Sequence, residues 1–141
     1  MPRTPVVYRT THRIRFSELD PYNHMNTGVY ATYYADHRME GLRNHLGWDL
    51  KTLATLPFMV WVRRIEIDYL RPALGDEEIT ITSWVRDFEG PYARVECAMV
   101  NAAGQKLSGC LMMVAHVDKA TNRATEWPPE RAELFFEREA D

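Results

Sequence analysis

Phe16-Ser17-Glu18-Leu19-Asp20-Pro21-Tyr22-Asn23-His24-Met25-Asn26-Thr27-Gly28-Val29-Tyr30 is where the periodicity of the chain changes. Before it, Val6, Tyr8, Thr10, His12, Ile14 and Phe16 alternate with Val7, Arg9, Thr11, Arg13 and Arg15. That two-residue period predicts a half-buried strand over 5–17. After it, from Thr27 to about Leu46, Tyr30, Tyr33, Tyr34, His37, Gly41 and Leu42 fall on one stripe, with Asp36, Glu40 and Arg43 off it. This is the period of a helix. Pro21, Asn23 and Asn26 favour a loop between the two, Asn26 suits the helix N-cap, and Gly47 suits the C-terminal stop. The stripe is so aromatic and bulky that a whole sheet is needed to bury it.

Downstream the chain supplies that sheet. Phe58 to Leu70 places Ile65, Ile67 and Tyr69 on one face, but Val60 and Val62 fall in the opposite parity, so a bulge is expected near Arg63. Glu78 to Val85 and Tyr92 to Val100 alternate regularly, and turns are expected at Asp87 to Gly90 and Asn101 to Gly104. Lys106 to Val117 becomes apolar on both faces at Leu111 to Ala115, which predicts a central strand. Pro128 and Pro129 open a short charged helix over 130–137, anchored by Leu134, Phe135 and Phe136. One strand, one long helix and four strands joined largely by short turns predict an α+β fold. There is no room for the crossover helices of a parallel sheet.

Composition sets outer limits. The chain has 141 residues, 45% hydrophobic and 26% charged, which predicts one globular domain over 1–141. A net charge of −3 gives no general attraction to nucleic acid or an anionic membrane. The longest apolar stretch, Leu111 to Ala115, is far too short to span a bilayer, and Met1 to Thr4 lack the apolar core of a signal peptide. A cytoplasmic location is expected. Cys97 and Cys110 have no zinc-site spacing, so buried thiols are expected, with no metal and no cofactor.

The quoted stretch also carries the candidate chemistry. The first amides of a helix, here Thr27, Gly28 and Val29, have no intrahelical partner and face what lies ahead of the helix. With the helix dipole, such amides stabilise the oxyanion formed when an ester or thioester is attacked. Asp20, just upstream, is placed to attack directly or to take a proton from water. Spacing alone leaves a second reading of each residue open: Asp20 as turn chemistry, His24 as a loop histidine, Asn26 as a cap, and Asp36 and Arg38 as structural hydrogen-bonding groups.

Asp20, Asn23, His24, Met25, Asn26, Thr27 and Tyr30, followed by Asp36 and Arg38, resemble the signature of the hotdog-fold acyl-CoA thioesterases, the 4-hydroxybenzoyl-CoA thioesterase superfamily. Ile65 to Ala73 with Gly75-Asp76 is similar to that family's second strand and turn, and Gly104 to Val117 to its last strand. The resemblance implies a long central helix wrapped by a five-stranded antiparallel sheet, with a short C-terminal helix beyond it. It implies hydrolysis of acyl-CoA, with Asp20 as nucleophile or general base and the amides of Thr27 and Gly28 as the oxyanion site. His24, Asn26, Tyr30, Trp61 and Arg64 are then expected to contact the substrate. Two departures stand out, Asn23 for the usual Gly and Thr27 for the second Asn. The resemblance further implies edge-to-edge pairing into a homodimer or homotetramer, with the site between subunits. Arg63, Arg64, Arg71, Arg86 and Arg94 are available for CoA phosphates, and Tyr22, Tyr30, Tyr33, Trp61 and Trp84 for the acyl pocket. A hotdog module that binds acyl-CoA or acyl-carrier ligands without turnover is the alternative, and a hotdog hydratase or dehydratase a weaker one.

Overall fold

The computed structural model describes residues 3–138. Strand β1 (Tyr8–Arg13) is shorter than its alternation predicts, because Pro5 and Ile14 leave the ladder for contacts with Phe136 and with the Asp76–Glu77 turn. A 3-10 turn (Phe16–Glu18) and a loop follow, then helix α1 (Val29–Leu46), a short helix α2 (Leu50–Leu53), and strands β2 (Phe58–Tyr69), β3 (Glu78–Glu89), β4 (Tyr92–Asn101) and β5 (Lys106–Asp118). A two-residue strand β6 (Arg123–Ala124) and helix α3 (Pro129–Ala132) complete the order, the latter running into a 3-10 turn (Glu133–Phe135). The turn and α2 carry too few residues for any period to announce them. The expected eight-residue C-terminal helix is one α turn and one 3-10 turn, with Phe135 buried.

The sheet is antiparallel throughout, in the order β1-β3-β4-β5-β2, with β6 on the end of β5. Five long strands therefore match the expected sheet, and β5 lies inside it. A register shift falls between Val62 and Arg64, where the parity of β2 required one. A second, between Val85 and Asp87, carries β3 on to Glu89. Both edges, β1 and β2, are unpaired by any long strand.

Helix α1 lies against the concave face with Tyr30, Tyr33, Tyr34, His37 and Gly41 buried. Beneath it are Ile79, Ile81 and Val85 of β3, Val95 and Met99 of β4 and Met112 of β5. Gly47, at φ +71°, ends the helix in the left-handed conformation, and its N–H bonds to Arg43 and Leu42 carbonyls. At the other end the helix starts at Val29, two residues later than its period implies, and Gly28 rather than Asn26 is the N-cap. Cys97 and Cys110 face each other across β4 and β5 as buried free thiols. Their mutual hydrogen bond and burial raise the Cys110 thiol far above its ordinary value, as suits inert core groups. Among the described residues no helix is long and apolar enough to cross a membrane.

Candidate active site

Asp20 sits in a loop that the backbone closes on itself. Its N–H donates to the His24 carbonyl at 2.8 Å and its carbonyl accepts from Asn23 at 3.2 Å. Asn23 takes φ +60°, a conformation that asparagine tolerates better than most residues, so it can stand where the family pattern has glycine. Met25 N–H donates to Ala73 O at 2.7 Å and Asn26 N–H to Glu18 O at 2.8 Å, tying the loop to the β2–β3 connection and to the 3-10 turn.

The Asp20 carboxylate is held by one oxygen. Oδ1 accepts from the backbone N–H of Tyr22 at 2.8 Å and of His24 at 3.1 Å. Oδ2 has no hydrogen-bond partner among the described residues. The side chain borders a cavity of about 250 Å³ together with His24, Met25, Thr27, Tyr30, Tyr69 and Arg71.

At the helix start the three candidate amides are not equivalent. Gly28 N–H is taken by Asn26 Oδ1 at 3.1 Å, and Val29 N–H by the Asn26 carbonyl at 2.9 Å. Thr27 N–H has no partner among the described residues. Two tyrosines fix this corner. Tyr69 donates its hydroxyl to the Thr27 carbonyl at 3.0 Å, while the Tyr30 hydroxyl accepts from Ala73 N–H at 3.2 Å. Their rings meet edge to face at 4.9 Å. Burial pushes the Tyr30 phenol above its ordinary range, so it stays protonated.

Of the residues expected to contact a substrate, His24 and Tyr30 thus share the cavity with Asp20 and Thr27. Asn26 is exposed and its side-chain oxygen is taken by the Gly28 N–H. Trp61 and Arg64 lie on the β2 edge outside this cavity, Trp61 beneath Arg63 and Arg64 paired with Glu66 at 2.5 Å. Among the five arginines, Arg86 and Arg94 are also held in ion pairs, with Glu96 at 2.7 Å and Glu89 at 3.1 Å; Arg71 alone lines the cavity. Of the aromatic residues considered for an acyl pocket, Tyr22 is largely exposed, Tyr33 donates to Glu18 at 2.5 Å, and Trp84 lies on the convex side of β3. Arg38 does act as a hydrogen-bonding group, donating to Ser83 Oγ at 2.9 Å, whereas Asp36 is exposed and makes no hydrogen bond among the described residues. Tyr69 is the residue that sequence reasoning passed over as a site member. Its only signal was its position at the end of β2, beside the Arg71-Pro72 turn.

A family model described as the thioesterase-like superfamily matches residues 14–135. The chain is similar to the long-chain acyl-CoA thioesterase FadM of Escherichia coli K12, with 27% identity over 117 residues, 82% of this chain and 87% of that one. In fold it is similar to the probable thioesterase YbaW of Escherichia coli, with a TM-score of 0.82 and 24% identity over 92% of this chain and 99% of that one. SAV2348 of Staphylococcus aureus, solved in complex with CoA, has the same fold, with a TM-score of 0.82 and 17% identity over 95% of this chain and 84% of that one. Fold, loop and family match agree, and the chain belongs to the hotdog-fold thioesterase-like superfamily.

Proposed function

We propose that the protein hydrolyses acyl-CoA thioesters to the free acid and CoA, with Asp20 as the working carboxylate. The observation that supports this most directly is the asymmetry of Asp20: one oxygen is tied to two amides, and the other is unbonded beside a cavity bordered by Thr27, whose amide is also unbonded. A thioester carbonyl between them gains a hydrogen bond from Thr27 N–H as negative charge develops on its oxygen. Asp20 either takes a proton from the attacking water or attacks the carbonyl carbon itself, forming an anhydride that water then opens. In both routes the C–S bond breaks and the departing sulfur acquires a proton. Gly28 contributes open space rather than a donor, since a Cβ there would meet only Asn26 Oδ1, at 3.7 Å. His24 and Tyr30 form walls, and Arg71 is free to meet a CoA phosphate.

The β2 edge supports a second copy of the chain as partner. It exposes Trp61, Val62, Ile65 and Tyr69 along an unpaired strand, a surface that soluble proteins seldom leave uncovered. Two β2 edges paired antiparallel about their middle would carry the Phe58–Trp61 end of one copy toward the Asp20 loop of the other and leave Arg64 near the two-fold axis, and dimers could pair further into tetramers. Reduced, buried thiols fit a cytoplasmic location.

Asp20→Asn tests the assignment, because its side-chain oxygen can still accept from Tyr22 and His24 while the charge is gone. Thiol release from a panel of aliphatic and aromatic CoA esters should fall about 10²- to 10⁴-fold with unchanged circular dichroism. A folded variant with full activity would remove Asp20 from the mechanism.

A further inference from the structure

Arg38 enters the interior from α1 with no acid to meet it. Its Nη1 donates to Ser83 Oγ at 2.9 Å and its guanidinium lies 4.4 Å from the centre of the Tyr8 ring. Among the described residues no carboxylate is in ion-pair contact with it. The groups around it are Tyr8 from β1, Ser83 from β3, Cys97 from β4 and His37 and His45 on its own helix, none of them a carboxylate. A half-buried guanidinium without a counter-charge is costly to hold, and one stacked ring with one hydroxyl returns only part of that.

Beside Arg38 is a cavity of about 220 Å³, and among the described residues Arg38 is the only charged one in its walls. Its floor is Val85 of β3, Val95 of β4, Met112 of β5 and Val60 and Val62 of β2. It therefore crosses four neighbouring strands, about 14 Å at the usual strand spacing. At the β2 end Val62 is 54% exposed, so the slot opens at the sheet edge; at the β3 end Val85 and Ser83 are buried and Arg38 closes it.

We propose that this slot receives an apolar chain from the β2 edge and holds a carboxylate at its far end on Arg38, so that the preferred acyl group carries a second carboxylate remote from the thioester. The slot and its cation stand by themselves; that the chain is an acyl group rests on the thioesterase reading. With a two-fold axis near the middle of β2, the second copy's Tyr69 and the Asp20 cavity behind it come alongside Phe58, two residues from Val60. The thioester would then lie at one copy's Asp20 and the acyl tail in the other's slot.

Trp48 and Trp127 line the slot and report its occupancy by fluorescence. Wild-type protein should bind decanoate at least ten-fold more tightly than decanol, and Arg38→Met, which keeps a long apolar side chain, should lose that difference. Equal binding of the two by the wild type would overturn the site, and that comparison needs no variant to fold. In turnover, kcat/KM should be at least ten-fold higher for a CoA ester of a ten-carbon chain ending in carboxylate than for decanoyl-CoA. Intact preference for decanoate without this gain assigns the slot to a free acid and overturns the substrate class. A protein that prefers decanoate yet hydrolyses no CoA ester keeps the site and loses the proposed activity.

Discussion

Gly41→Ala sets two magnitudes of opposite sign against each other. In an isolated helix the change stabilises by about 1 kcal/mol, since alanine is the better helix former. Gly41 is buried where α1 crosses β1, and an added methyl would come within 2.5 Å of Tyr8 Cγ and closer still to Cδ2. These atoms belong to the root of a buried ring and cannot swing aside. The Tyr8 hydroxyl is hydrogen-bonded to His45 Nδ1 at 2.9 Å, and the ring carries Arg38 on its face. Relief therefore requires parting the helix from the strand, an overpacking cost of about 1–3 kcal/mol. Loosening the hydroxyl bond and the cation contact adds about 1 kcal/mol. Packing wins, with a net loss of about 2 kcal/mol, or about 7 °C in Tm for a chain of this size. Thermal unfolding followed by circular dichroism reads the result. A Tm equal to or above that of the wild type would refute the close approach of α1 to β1.

Tyr69→Phe removes the hydroxyl that holds the Thr27 carbonyl and keeps the ring against Tyr30, so kcat should fall about ten-fold, or 1.4 kcal/mol, with a smaller change in KM; steady-state kinetics with unaltered kcat would free the helix start from this anchor. Burial holds the His37 imidazole down at about 4 from 6.5, and His45 and His116 are lowered in the same direction and mainly for the same reason. Between these values the unfolded chain binds protons that the native state refuses, so stability should fall as pH drops from 6.5 to about 4, by about 3 kcal/mol from His37 alone, and flatten below. Urea midpoints that do not move between pH 7 and pH 4.5 would show that His37 is not the neutral, buried group its surroundings make it.

Periodicity made most of the fold legible because burial is one-sided. The stripe Tyr30, Tyr33, Tyr34, His37, Gly41 is the face of α1 that is buried, and the parity break in β2 appears as a register shift beside Arg63. Ends were less legible, since they depend on single hydrogen bonds. Asn26 reads as an N-cap by residue type, yet its side chain bonds Gly28 two residues on, and the helix starts at Val29. At the site, Asp20 became a candidate through the resemblance of its loop to the family signature, since an Asp-Pro turn by itself reads equally as turn chemistry. Arg38 was marked as a hydrogen-bonding group of the same signature, but nothing in the sequence announced its surroundings. The Ser83 it bonds and the Tyr8 it covers lie 45 and 30 residues away, and the absence of a nearby acid is a property of the folded surroundings alone.

The same long-range bonds hold the helix start in one place, as its proposed role requires. Arg38 donates into Ser83 Oγ, which directs the Ser83 hydroxyl hydrogen to His37 Nε2 at 2.6 Å. With Nε2 accepting, Nδ1–H donates to Thr10 Oγ1 at 2.7 Å, and the Thr10 hydroxyl turns to His12 Nε2 at 2.7 Å. This chain has one consistent polarity and needs a neutral His37, as the depressed imidazole provides. Farther along the helix Tyr34 donates to Ser108 at 2.8 Å, and Tyr30 accepts from Ala73. No buried side-chain nitrogen or oxygen among the described residues is left unpaired. Apolar contacts alone would tolerate a helix sliding along its groove, because one methylene fits nearly as well as the next. A slip of one residue, about 1.5 Å with a turn of about 100°, would break every one of these bonds together and leave buried polar atoms unsatisfied. The polar core therefore sets the axial position of α1, and with it the place of Thr27 N–H relative to Asp20.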